Sequence, residues 1–362
     1  MSEALELYGI DVSYFTGKME GYLRYKEIPY RKRTATPAVW RRMQRETGAA
    51  QVPGIRLADG RWMTDTTPMI DWFEREHPEP AVVPADPAQA FFARLIEDYA
   101  DEWLWRPAMH YRWSHPGDAA LLSRLITDEM GRDHWLPGFV LRWMTRRRQL
   151  GRFVRGDGVT PETRPHVESI YLRALDQLEA VFSDRPFVLG ARPTVADFGF
   201  FGSMFRHFGH DPTAAELMRR RAPGVYAWLG RLWNARATTT HGPLVDGLPD
   251  DLGPILDEVG SAYLPYLCAN AEAWRAGQTR HDALIQGVRY RALPISQYRV
   301  WCLEQLQARF AALPESVQPE VRKRLEAHGC QEPLLRLSPE SGYDRDGRVP
   351  FAGRKVHYDE PD

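Results

Sequence analysis

Short apolar runs and helical patterns alternate through the first eighty or so residues, and their order leaves few folds open. Leu5 to Ile10 reads as a buried strand. Ser13 to Thr16 turns the chain into a helix carrying Met19, Tyr22, Leu23 and Tyr25 on or near one face. Glu27-Ile28-Pro29-Tyr30 stops that helix, because proline cannot extend it, and a second strand begins. A helix from about Pro37 to Glu46 leads to Gln51-Val52-Pro53-Gly54. The runs Gly54 to Leu57 and Arg61 to Thr64 flank Ala58-Asp59-Gly60, and Asp-Gly between apolar residues signals a hairpin. Thr66 and Thr67 can cap a last helix, with Pro68 in its first turn and Met69, Ile70, Trp72 and Phe73 on its buried face. Strand, helix, strand, helix, hairpin, helix predicts a compact α/β unit with a four-stranded mixed sheet.

The remainder reads differently. His77 to Gln89 holds Pro78, Pro80, Pro84 and Pro87, a linker composition. Amphipathic helices are predicted over Ala88–His110, Asp118–Met130, Gly138–Leu150, Pro161–Phe182, Thr194–Phe208, Thr213–Arg220 and Pro223–Asn234. Thr194 and Asp197 form a capping box with Asp in place of the usual Glu. Further on, Leu252–Ala276, Ser296–Ala312 and Pro314–His328 are helical, and Ala283 to Arg291 reads as a small hairpin with Gly287 in the turn. From Pro339 the chain mixes Gly, Asp, Arg and Pro without a core pattern. The expected organisation is 1–78, a linker at 79–89, an all-helical 90–240, an extension at 241–338 and a flexible tail at 339–362.

Composition narrows the partners. Of 362 residues, 43% are hydrophobic, enough for a sizeable core. The 47 basic and 48 acidic residues nearly cancel, which argues against recruitment of nucleic acid or an anionic membrane. Arg146-Arg147-Arg148 and Arg219-Arg220-Arg221 read as solvated helix faces. Cys268, Cys302 and Cys330 make neither a disulfide framework nor a CxxC centre. His110, His115 and His134 lack HxH or HExxH spacing, so no metal is expected. Without a long apolar run or a leader pattern, the expected setting is soluble and cytoplasmic.

Leu7-Tyr8, Ser13-Tyr14-Phe15-Thr16, Lys26-Glu27-Ile28-Pro29-Tyr30, Gln51-Val52-Pro53 and Asp59-Gly60 through Asp65-Thr66 resemble, in order and spacing, the cytosolic glutathione transferases of the serine type. Gly190 with the Thr194/Asp197 pair resembles the folding signature of that family's helical domain. The resemblance implies a thioredoxin-like N-terminal domain, then an all-α C-terminal domain, here with a long and mostly helical extension. It also implies that a cis Val52-Pro53 pair presents its main chain to the cysteinyl residue of glutathione. Asp65 and Thr66 then hold the γ-glutamyl end, and Gln51 adds a contact. Ser13 occupies the place of the thiol-activating serine, with Tyr14 and Thr16 as nearby alternatives. The absence of Cys before position 268 excludes the Cys-dependent branch. Trp103, Trp105, His110, Tyr111 and Trp113 are the candidates for an apolar wall facing the electrophile.

Each of these residues also has a plain structural role open to it, as helix cap, turn or core. The expected function is a glutathione-dependent transferase acting on an apolar electrophile, as a homodimer. The alternative is a catalytically inactive binding or scaffold protein of the same fold, favoured by the long extension and by Tyr14 after Ser13, where the resembled family often carries Pro. The extension is expected to pack on the helical domain and roof the substrate pocket.

Overall fold

The computed structural model describes residues 5–131 and 136–353. The α/β unit consists of β1 (Leu5–Gly9), α1 (Tyr14–Tyr25), β2 (Tyr30–Thr34), α2 (Pro37–Thr47), β3 (Gly54–Arg56), β4 (Trp62–Thr64) and α3 (Thr66–Glu76). Its sheet has the order β2-β1-β3-β4. β1 lies parallel to β2, with Leu7 opposite Lys32, and antiparallel to β3, with Leu7 opposite Ile55. A parallel pair needs a crossover, and α1 supplies it. Local chemistry sets the helix ends. Ser13 accepts the Thr16 N–H at 3.4 Å to start α1, and Thr36 accepts the Val39 N–H at 3.4 Å to start α2.

The helical part comprises α4 (Pro87–Glu102), α5 (Trp105–Ser114), α6 (Pro116–Met130), α7 (Gly138–Gln149), α8 (Arg164–Asp184), α9 (Val195–Ser203), α10 (Pro212–Arg221) and α11 (Pro223–Asn234). At its centre α9 is buried along its whole length. The Asp197 carboxylate accepts the N–H groups of Thr194 and Val188, both at 2.9 Å, and so ties the helix start to the preceding loop. A Cβ on Gly199 would stand 2.8 Å from Glu97 Cα, so α9 and α4 meet backbone to backbone. Together these features give a thioredoxin-like domain followed by a helical domain.

Three expected helices are interrupted, the Thr194–Phe208 pattern giving way after α9 to a π-helical stretch over Met204–Phe208. The Ala88–His110 pattern breaks after α4, at Trp103-Leu104, because Pro107 has no N–H to give the turn before it. The Leu252–Ala276 pattern is α12 (Gly253–Glu258), a π-helical stretch over Val259–Tyr263, and α13 (Leu264–Arg275). Pro265 lies where the register changes. Within that stretch a Cβ on Gly260 would lie 2.1 Å from the His328 carbonyl oxygen, so the later chain crosses here.

The extension continues as β5 (Arg280–Ile285), β6 (Val288–Pro294), α14 (Gln297–Ala311), α15 (Gln318–Ala327) and α16 (Gln331–Leu335). It packs on the helical part through α4 and α14, and it also reaches the α/β unit, where Arg309 Nη2 sits 2.9 Å from Asp71 Oδ2 on α3. Residues 339–353, whose composition suggested a tail without a core, lie against other elements. Tyr343 is buried on Tyr298 and Trp301 of α14, and the Pro350 carbonyl accepts the Thr64 N–H of edge strand β4 at 3.0 Å. The rest of that segment, 354–362, lies outside the described residues. No described helix is long and apolar enough to cross a membrane.

The close crossing of α9 and α4 yields a test of sign. In an exposed helix, Gly→Ala stabilises by roughly 1 kcal/mol through propensity. Gly199→Ala should instead destabilise by about 1–3 kcal/mol, since its methyl meets backbone that has to move. Denaturant unfolding of the variant measures which way the change goes.

Candidate active site

A cavity of about 740 Å³ opens between the α/β unit and the helices. Four segments of the α/β unit reach it, α2 among them through Trp40. The β1–α1 connection brings Val12, Ser13, Tyr14 and Phe15; the approach to β3 brings Gln51, Val52 and Pro53; the start of α3 brings Asp65 and Thr66. The Val52–Pro53 bond is cis. Two of these segments are helix N-termini, where free N–H groups and the helix dipole favour an anion. None of the three cysteines lines the cavity.

The three hydroxyl candidates separate by geometry. Ser13 is half-buried and faces the cavity; it accepts the Thr16 N–H, and no described group accepts its own proton. Tyr14 lines the cavity with its ring but donates its hydroxyl to the Ala100 carbonyl at 2.6 Å, and burial pushes its pKa far up. Thr16 is buried beneath Gly9 and does not reach the cavity. Of the three, only Ser13 offers its hydroxyl there.

Asp65 sits in the left-handed region at φ 74°, a conformation costly for a residue with a side chain and often kept at ligand-holding positions. Its Oδ1 accepts the Tyr298 hydroxyl at 3.2 Å, while Oδ2 is buried with no hydrogen-bond partner among the described residues. Burial raises the Asp65 pKa to about 7, with Lys18 and Tyr298 pulling it down and Glu102 pushing it up. Asp101 and Glu102 at the end of α4 line the same end of the cavity.

The helical turn divides the five aromatic candidates. Trp105 and Trp113 line the cavity with Met109 and Arg112 of the same helix, at the spacing of one α5 face. Trp105 stacks on Phe15 at 6.0 Å, joining the two halves of the site. The others turn away. Trp103 donates to Glu258 Oε1 at 3.3 Å, His110 Nε2 lies 3.0 Å from Glu168 Oε1, and Tyr111 packs on His115 and Tyr171. These three are core residues bound to other elements: the α5 repeat that aims Trp105 inward aims His110 and Tyr111 outward, while Trp103 lies before the break, at the end of α4.

Several lining residues carried no signal that sequence reasoning picked up: Trp40, Met109, Ile126, Met130, Phe153 and Tyr298 among them. Met109 was available from its spacing to Trp105 and Trp113. Tyr298, 233 residues from its partner, has no local pattern that marks it. Arg148 also reaches the cavity from its basic cluster, whereas Arg219 and Arg221 pair outside it with Glu216 and Asp176. Arg112, by contrast, is a brace. It is buried, forks onto Asp211 at 2.7 and 2.9 Å, and donates to the Val12 carbonyl at 2.7 Å, fixing the residue before Ser13. Its Nη1 also lies 2.8 Å from His207 Nε2, so that ring is neutral; burial and then Arg112 hold the His207 pKa well below its ordinary value. Arg112→Ala leaves Asp211 buried and uncompensated, and should cost about 3–5 kcal/mol in denaturant unfolding at neutral pH.

Comparison with known proteins agrees with this architecture. The family described as glutathione S-transferase, N-terminal domain, matches residues 7–81, and the one described as glutathione S-transferase, C-terminal domain, matches residues 161–231. No curated protein compared with the chain matches it. Among solved structures, a glutathione S-transferase from Methylobacterium radiotolerans in complex with glutathione sulfonate is 17% identical, with 68% of this chain and 99% of that one covered at a TM-score of 0.39. The β-etherase LigF from a Sphingobium strain is 20% identical, covering 63% and 94% at 0.44. A GST-like protein from Pseudomonas syringae is 20% identical, covering 69% and 79% at 0.43. The two matches, in the order in which the two domains are built, support membership of the glutathione S-transferase superfamily.

Proposed function

We propose that the chain binds glutathione and activates its thiol for attack on an apolar electrophilic small molecule. One convergence carries the reading. Ser13 at one helix N-terminus, the Val52–Pro53 loop and Asp65–Thr66 at a second helix N-terminus open on a single cavity, opposite a wall of Trp105, Met109, Trp113 and Phe153.

In this reading residues 1–78 hold the peptide. The main chain of Val52–Pro53 pairs with the cysteinyl residue, and Gln51 adds a contact. Asp65 takes the ammonium group, while Thr66 and the free N–H groups of α3 take the γ-glutamyl carboxylate. A thiol ordinarily titrates near pH ~8.5. A hydroxyl donor at the sulfur, together with the positive end of α1, stabilises the thiolate and lowers that value. The thiolate lone pair then forms the new C–S bond, and the bond to the leaving group breaks with its electron pair. Residues 90–240 supply the apolar wall that holds the electrophile, and 241–338 close the cavity at Tyr298. Family kinship further supports a cytoplasmic homodimer, which a solution mass tests.

The first experiment is titration of the protein with glutathione. Binding at millimolar concentration or below is expected, with a thiolate absorbance at neutral pH; absence of binding overturns the reading. Ser13→Ala should retain peptide affinity while turnover at neutral pH falls by about a hundredfold, as when one donor to a developing anion is removed. Affinity should also depend on pH through Asp65. Below about pH 7 this carboxyl holds a proton that ammonium binding has to expel, and above it the proton is already gone. Glutathione should therefore bind more weakly at pH 6 than at pH 8, by up to about tenfold per unit below the midpoint. Calorimetry across that range, in buffers of different ionisation enthalpy, reads both the affinity and the released proton.

A further inference from the structure

Three carboxyls, Asp65, Asp101 and Glu102, crowd one end of the cavity, and the chain treats them unequally. Asp101 is paired with the buried Lys18 ammonium. Glu102 is paired with Arg299, whose Nε lies 3.4 Å from Oε2. Asp65 receives only neutral donors, the Tyr298 hydroxyl and the Thr67 N–H beside it, and no ion pair among the described residues reaches it. Its second oxygen is buried and without a partner there. A carboxylate in that state lacks a cation.

Tyr298 and Arg299 are adjacent at the start of α14, outside both segments matched by the family's domains. Their placement is firm. The Tyr298 ring packs on Trp301 at 5.5 Å and on Tyr343 at 5.3 Å, and Gln297 donates to the Ser341 carbonyl at 2.8 Å. Arg299 is buried and also bonds the Tyr266 hydroxyl. We propose that the C-terminal extension completes the peptide end of this cavity, Arg299 neutralising Glu102 while Tyr298 positions the Asp65 carboxylate to receive a ligand's primary ammonium group. The resulting specificity is for a peptide with a free α-amino group, and Tyr298 is a positioning residue acting through Asp65. This rests on the glutathione-binding reading above and adds the part of the chain that enforces it.

The test compares two ligands, glutathione and its analogue in which a glutaryl group replaces the γ-glutamyl group, so that only the ammonium is missing. Both are titrated into the full-length protein and into Tyr298→Phe and Asp65→Asn. Wild type should prefer glutathione, and Asp65→Asn should abolish the preference. Tyr298→Phe should weaken glutathione about tenfold, the scale of a lost hydrogen bond to a charged group, and the analogue by less than about twofold. It should also move the pH midpoint of glutathione binding upward. Lys18 from α1, Asp101 and Glu102 from α4, and Arg299 from α14 all stay in place around Asp65, and only the Tyr298 hydroxyl, which lowers its pKa, is gone. If Tyr298→Phe leaves glutathione affinity unchanged, or weakens both ligands equally, the extension's role falls while the glutathione reading stands. If wild type binds neither ligand, both fall.

Discussion

Lys18 is buried completely, and the surrounding structure is arranged around that charge. Its ammonium lies 2.7 Å from Glu97 Oε1 and 3.0 Å from Thr67 Oγ1, and bonds Asp101 as well. Burial pulls its pKa down, but Asp101 and Glu97 outweigh that and keep it charged. Glu97 is shared with Arg94, which reaches Asp71 on α3, and Asp71 in turn holds Arg309 of the extension. One polar seam thus joins α1, α3, α4 and α14. Unpaired, the buried charges of Lys18, Glu97, Arg94 or Asp101 would each cost several kcal/mol, so the elements they join have little freedom to separate.

The cavity inherits its character from that seam. Part of its lining is acidic because α4 ends with Asp101 and Glu102, and because the turn into α3 presents Asp65. Another part is apolar because one face of α5 carries Trp105, Met109 and Trp113, backed by Phe153 after α7. Ser13 sits at a helix start, held from behind by the bond from Arg112 to Val12. Acidic, apolar and hydroxyl side chains therefore line one space.

Much of the α/β unit was legible because its signals are local. Ser13 and Thr36 cap helices, Pro37 begins one, Gly48 ends it in the left-handed region, and Asp59-Gly60 turns a hairpin. Each is decided by a few neighbouring residues, so their order could be read off directly. The aromatic stretch from Trp103 to Trp113 shows the limit of such reading. Density alone cannot say which side of α5 faces the cavity, and the break at Trp103-Leu104 resets the phase of the helix. Trp105 and Trp113 line the cavity, and Trp103, His110 and Tyr111 belong to the core.

By itself the sequence determined the elements of the first domain and the mostly helical nature of the remaining chain. Those depend on caps, turns and periodicity, which act over a turn or two of chain. Tertiary structure decided which hydroxyl faces open space, which aromatics line it, and that Tyr298 of α14 reaches Asp65. A contact across 233 residues is fixed by packing and charge matching among elements far apart in the chain, and no local pattern encodes it.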